Sequence, residues 1–325
     1  MHYTSIEISE SLAAEQRKTV HAKRQHQSKF KVEVRNAADV AAWGPPSDEP
    51  CFVIMLEVLD NLPHDRVFRS SRHDPWLQTM VTSSQPGLTS ATPSPDSSIP
   101  PSEVQDPSSS PLQFRELLAP VRDPLIRRCL AALEPGGSEA GPLSGTEPPD
   151  GTEPVKANVT GLLALAREFF GSLAEPPEGL EVLWLPTGAL QLLETLYAAR
   201  PNMCLVAADF DALPDVRIEG RNAPLVASKA DGVTQDQSTY LVQPGIADIF
   251  FPTDFDVLHR LNLAAAHWSK AGHVPSANSA STRAFMEQFG DVKRTRTRTG
   301  FNPLLEDYLN TKIFVSQPGT RFDGS

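Results

Sequence analysis

The chain of 325 residues has little cysteine: Cys51, Cys129 and Cys204 stand far apart, with no metal-ligand spacing between them. That excludes a cysteine-built zinc site and leaves three thiols that read as reduced core residues. No run is long and apolar enough to span a bilayer. The start carries Glu7, Glu10 and Glu15, unlike an apolar signal core or an acid-poor transit peptide. The chain therefore reads as soluble, without membrane insertion and without a visible address. Basic charge is short as well. Against 40 Asp and Glu stand 29 Lys and Arg, a net charge of −11, which argues against a nucleic-acid surface and favours basic partners. No G-x-G-x-G run occurs, and Gly136-Gly137 lies in a Pro/Glu-rich stretch with no strand before it. A dinucleotide-dependent oxidoreductase would need such a phosphate loop.

What the chain does have is CFVIMLEVLDNLPHDRV, from Cys51 to Val67. Phe52 to Leu56 is apolar on both faces, as expected of a central parallel strand covered by helices on each side. Glu57 and Asp60 come at once after it. Ligands of open α/β sheets bind outside the carboxyl ends of the strands, so these carboxylates are placed for a site. Alternatively, Asp60 or Asn61 shapes the Leu62-Pro63 turn and Glu57 is a solvated strand end.

Along the chain, Met1 to Ile8 reads as a strand, and Ser9 is placed to cap a helix through about Ala22. Phe30 to Val34 is a short strand, Asn36 to Trp43 a loop or helical turn, and Arg66 to Phe68 with Trp76 to Val81 an exposed hairpin. Residues 82–111 and 134–156 are rich in Ser, Pro, Gly and Glu and poor in large apolar side chains, the composition of disordered linkers. Between them residues 112–133 show helical spacing, broken at Pro120 and Pro124. Val159 to Leu173 reads as an amphipathic helix and Glu181 to Leu185 as a strand. Pro186-Thr187-Gly188 reads as a turn into a helix from Ala189 to Arg200. Met203 to Ala208, Pro224 to Ser228, Ile249 to Phe251 and Lys312 to Ser316 read as strands, with helices near Asp256 to Trp268 and Arg283 to Phe289. Strands alternating with helices predict an α/β core, formed by residues 1–81 and 157–325, whose last strands run antiparallel.

LEVLDNLPHDRV resembles the segment N-E-x-x-D-x-L-P of the MidA family, the family of the mitochondrial complex I assembly factor 7, with Leu56 where many members have Asn. YTSIEIS near the start, LPTGALQLLETLYAARPNMCLVAADF, ADIFFPTDFDVL and TRTGFNPLLEDYLNTKIFVS are similar to its other elements, in order. The resemblance implies a class I, S-adenosylmethionine-dependent, Rossmann-like sheet. It also implies a protein-arginine methyltransferase whose substrate arginine lies in a respiratory complex I subunit, and a mitochondrial location. It begins at the family's second strand. The first strand, the Gly-rich loop and the next helix have no counterpart here, so the edges of Ile6 and Ile54 are expected to face an unfilled slot. The chain is either an N-terminally incomplete methyltransferase with weak or absent activity alone, or a short form that serves as a non-catalytic assembly protein.

The resemblance assigns Glu7 to the ribose hydroxyls of the cofactor, and Asp39 to its adenine amino group. Glu7 could instead lead the helix as an ordinary acid, and Asp39 could be a turn residue. Glu57 and Asp60 are the candidates for the reaction centre, because two carboxylates can orient a planar, always charged guanidinium. His64 is placed to accept the released proton, or is incidental to the turn. Asp209-Phe210 stands where relatives have Asp-Tyr-Gly, and Asp248, Phe251, Asp254 and Phe255 read as packing and turn residues. Lys293, Arg294, Arg296 and Arg298 read as a solvated charged loop. No metal is expected.

Overall fold

The computed structural model describes residues 2–23, 28–84, 111–134, 180–230, 232–269 and 271–319. It opens with β1 (Tyr3–Glu7), α1 (Glu10–Ala22), β2 (Phe30–Val34), β3 (Cys51–Leu56), β4 (Asp65–Arg69), β5 (Leu77–Ser84) and β6 (Gln113–Pro120). Then come α2 (Pro124–Leu133), β7 (Glu181–Leu185), α3 (Thr187–Ala199), β8 (Met203–Phe210), β9 (Leu225–Ala230), β10 (Val233–Asp236) and β11 (Ala247–Phe250). The last elements are α4 (Phe255–Trp268), β12 (Ser276–Ser281), α5 (Thr282–Phe289), α6 (Pro303–Glu306) and β13 (Thr311–Gln317). Ser9 starts α1 as expected, its hydroxyl accepting the Leu12 amide. Asp123 does the same for α2 by accepting the amides of Leu125 and Ile126, with Pro124 at the first helical position, where no amide is needed.

The central sheet runs β12-β13-β8-β3, with β3 and β8 parallel and β13 antiparallel to both of its neighbours. Alternation along β8 puts Met203, Leu205, Ala207 and Asp209 inside and Cys204, Val206, Ala208 and Phe210 half-exposed. Met203, Leu205 and Ala207 join Met55 and Phe314 in one core with Leu190, Leu193 and Leu196 of α3 and Leu258, Leu261 and Ala265 of α4. Each buried leucine contributes about 1.5–3 kcal/mol over the exposed state, so the α3–α4 face anchors the sheet. Beside it, β6-β5-β4-β7 form an antiparallel sheet and β10-β9-β11 a smaller one.

Three expectations are corrected. β3 is not covered on both faces: Met55 packs on the core, whereas Phe52, Ile54 and Leu56 are 66%, 63% and 65% exposed. The physical reason is that α3 and α4 pack on one face only, while α1 packs against β1 and β2. The Arg66–Phe68 and Trp76–Val81 segments do pair, but not as an exposed hairpin. β4 lies between β5 and β7, with Val67, Phe68 and Leu77 buried. Residues 113–120 form a strand and not a helix. Phe114, Glu116, Leu118 and Ala119 are the more buried positions of β6, and the carboxylate among them hides the apolar alternation from a sequence reading. Glu116 is accommodated because Arg66 pairs with it at 2.8 Å and the Tyr240 hydroxyl donates to it.

The Val159 to Leu173 helix, residues 85–110 and residues 135–156 lie outside the described residues. Thr82 to Ser84, expected in a linker, extend β5.

The expected slot is present. β1 pairs with β2 and β3 with β8, in separate sheets. Between β1 and β3 lies a cavity of about 580 Å³, lined by Thr4, Ser5 and Ile6 on one side and by Cys51 to Met55 on the other. Trp43 closes one wall, its ring under the Arg35 guanidinium at 4.3 Å.

Candidate active site

The carboxyl ends of β3 and β8 lie side by side, with Leu56 opposite Ala208, so the loops leaving the two strands meet at one edge. Glu57 continues the ladder for one more bond, its amide donating to Ala208 O at 2.9 Å, and then turns with φ +52°. That left-handed conformation is uncommon for a residue with a side chain, and such residues cluster where a site imposes them. The Glu57 side chain is exposed. After it, the turn Leu59–Asn61 drives Asp60 inward to 2% exposure.

Asp60 and Asp209 are two buried carboxyls at the same edge. Burial pushes the Asp60 carboxyl upward, the Asn61 amide at 2.6 Å opposes this, and the nearby Glu57 charge raises it further. Asp209, 1% exposed, is pushed up to about 6 by burial first and by the Asp60 charge second. Its oxygens accept amides of Leu59 at 2.8 Å, Asp60 at 3.4 Å and Phe210 at 2.9 Å. The sequence alone shows Asp209 directly after the Met203 to Ala208 run, a carboxylate at a strand's carboxyl end. Its reach into the loop after β3 had no signal there, because it depends on two strands 150 residues apart becoming neighbours.

His64 stands further along the same loop. Its ring stacks on Phe251 with centroids 3.8 Å apart and planes 7° apart, and the Phe251 amide donates to the Asp60 carbonyl at 2.9 Å. Nδ1 lies 2.9 Å from Leu62 O, which assigns the proton to Nδ1 and leaves Nε2 an acceptor. Burial drops its pKa to about 4, so the ring is neutral at pH 7. It also lines a cavity of about 20 Å³, room for a single water. The first turn of α3 fixes this loop. The Thr187 hydroxyl donates to Asp65 at 2.6 Å and the Gly188 amide to Pro63 O at 2.9 Å. A side chain at Gly188 would meet Pro63 at 2.8 Å, which is why this position needs glycine.

Glu57, Asp60 and His64 are thus brought to one edge. Glu7 and Asp39 lie elsewhere, on the β1–β2 side. Glu7 accepts the Ser9 amide at 2.9 Å and the Gln16 side-chain amide at 3.2 Å, which serves the start of α1. Asp39 is exposed and caps the turn Val40–Trp43 by accepting the Ala41 amide at 3.0 Å. Asp254 caps α4 and pairs with Arg221 at 3.0 Å, while Phe251 and Phe255 are buried. Lys293, Arg294, Arg296 and Arg298 are exposed. Among the described residues no group of three or more His, Cys, Asp or Glu could hold a metal ion. No helix among them is long and apolar enough to cross a membrane.

Residues 1–274 match the model of a family described as "putative S-adenosyl-L-methionine-dependent methyltransferase". The chain belongs to this methyltransferase family. Two solved structures from Burkholderia thailandensis share its fold, each aligned over 100% of this chain. One, an uncharacterized superfamily protein, is 15% identical with a TM-score of 0.51 and is covered over 67% of its length. The other is described as a "likely methyl transferase" bound to S-adenosyl-homocysteine; it is 13% identical, with a TM-score of 0.50 and 65% coverage. This methyltransferase-family chain therefore spans about two thirds of the length of either. No curated protein matches it. The expected fold class is borne out, and S-adenosylmethionine is the cofactor of the family.

Proposed function

We propose that this chain forms part of an S-adenosylmethionine-dependent protein-arginine N-methyltransferase, acting in mitochondria on an arginine of a respiratory complex I subunit in support of complex assembly. One observation carries the substrate side of this reading. Asp60, buried at the carboxyl edge of β3 and β8, has the exposed Glu57 carboxylate close enough to raise its pKa. Two carboxylates so placed can hold a guanidinium by paired, charge-assisted bonds and aim one nitrogen. That nitrogen attacks the methyl carbon, the carbon–sulfur electrons return to sulfur, and the nitrogen gives up a proton. In this reading His64, neutral and in the same loop, accepts that proton, directly or through water. The net charge of −11 suits a basic protein partner.

For the cofactor, Glu7 offers two acceptor oxygens, and its bond to Gln16 is the longer and more replaceable one. Asp39 is exposed and able to exchange its capping bond for an adenine amino group. A cavity separates β1 from β3, so binding is expected to need an extended segment between them. Titration calorimetry with S-adenosylmethionine, on the chain as it stands and with such a strand and Gly-rich loop added upstream, tests this. Affinity gained with the addition and lost in Glu7→Ala supports the reading. No binding in either protein sinks it. If cofactor binds but Glu57→Ala and Asp60→Ala leave methyl transfer to an arginine peptide unchanged, the reaction centre is misplaced. A non-catalytic assembly protein is the second reading, favoured by the open slot and by exposed Phe52, Ile54 and Leu56.

A further inference from the structure

Three segments far apart in sequence meet at Asp209. From the end of β8 its Oδ2 accepts amides of Leu59 and Asp60 at 2.8 and 3.4 Å, and its Oδ1 accepts the Phe210 amide at 2.9 Å. The stretch before α4 closes the knot. Phe251 N–H donates to Asp60 O at 2.9 Å, and Thr253 N–H donates to Phe210 O at 2.7 Å. A carboxyl 1% exposed is costly to keep, and a strand end could be capped by a solvated residue without that cost. Its partners among the described residues are its neighbour's amide and two amides of the very turn that carries Asp60.

We propose that Asp209 is the positioning residue for Asp60, holding the Leu59–Asp60 backbone from the neighbouring strand in the orientation that keeps the Asp60 carboxyl at the edge beside Glu57. This rests on the reading of Asp60 as a substrate-orienting group. The charged groups around Asp209 fit the role. Asp60 and Glu57 come from the loop after β3. Lys312, opposite Asp209 on β13, turns to Asp211 at 3.1 Å. Asp254, ahead of α4, is paired with Arg221, and Asp256 stands in the first turn of α4. Among the described residues backbone amides, and not a cation, hold Asp209 in place.

The test uses the full chain, labelled for amide NMR. In Asp209→Asn the Leu59 and Asp60 amides are expected to exchange at least ~10-fold faster, with Val206 and Phe314 in the same sheet unchanged. Exchange at Leu59 and Asp60 within about 2-fold of the native rate overturns the proposal. Should Asp209→Asn fail to fold, Asp60→Asn decides. The Leu59 amide shift should titrate near pH 6 in the native chain and at lower pH in Asp60→Asn. A flat shift from about pH 4 to 8 overturns the proposal. In a cofactor-competent form, Asp209→Asn should lower kcat at least ~10-fold with KM for S-adenosylmethionine within about 2-fold, and an unchanged kcat also overturns it. The amide readouts need no cofactor, so loss of the methyltransferase reading and loss of this one are separable.

Discussion

At the residue scale, the edge of β3 and β8 sets two titrations against each other. Between about 4, where the folded chain holds His64, and its ordinary 6.5, the unfolded chain binds the extra proton, so stability rises with pH. Asp209 acts oppositely. From its ordinary 3.8 to about 6 the folded chain binds the extra proton, and stability falls as pH rises. The two nearly cancel across the shared window. His64→Leu is therefore expected to expose a fall in stability with rising pH there, and Asp209→Asn a steeper rise, each of up to about 1.4 kcal/mol per pH unit. Urea unfolding at several values from pH 4 to 6 measures it, and equal slopes in all three proteins would refute the assignment. Glu57 and Asp60 were legible in the sequence because they come directly after an apolar run. Asp209 carried the same signal, but its partners did not.

At the element scale, α3 is both core and clamp. Its leucines fill the sheet, and its first turn holds the loop of Pro63 to Asp65. Gly188→Ala places a methyl 2.8 Å from the Pro63 carbonyl oxygen, which its own amide must still reach. The expected cost is about 1–3 kcal/mol of stability, with the His64 ring shifted from Phe251, read by denaturation and by ring NMR signals. Native stability with an unmoved ring would count against this. β6 makes the complementary case. Glu116→Ala removes a carboxylate from Arg66 and Tyr240 inside an antiparallel sheet and should cost about 3 kcal/mol, measured as a lowered urea midpoint at constant m. The strand was missed from sequence for the same reason. An inward carboxylate breaks the apolar alternation, and only Arg66 from β4 makes that position tolerable.

At the scale of the whole molecule, one face of the central sheet is packed and the other is open beside Phe52, Ile54 and Leu56. Exposed apolar strands next to a cavity are surfaces that take up dyes or other chains. Ile54→Thr with Phe52→Ser is expected to halve fluorescence of an apolar dye, roughly, and to reduce self-association in sedimentation, without lowering stability. Dye binding at the native level would show that this face is covered in solution. The same geometry explains why the family is easier to see than a working cofactor site. Glu7 and Asp39 stand on the β1–β2 side and Glu57 at the end of β3, in a separate sheet, and Glu7 and Asp39 are each engaged in a local bond to a backbone amide.

The sequence by itself determined the α/β alternation, most strands and helices, the cap at Ser9, the turn at Asp39 and the carboxylates after β3. All of these are local: an apolar run, a capping side chain or a turn residue acts within a few neighbours, so its pattern can be read along one chain. Tertiary structure alone decided that β3 has a bare face, that Asp209 holds the Asp60 turn, that Gly188 admits Pro63, and that Glu116 belongs inside a strand. Each depends on which distant segment arrives next to it, and a buried charge or a missing Cβ has no meaning until that neighbour is in place.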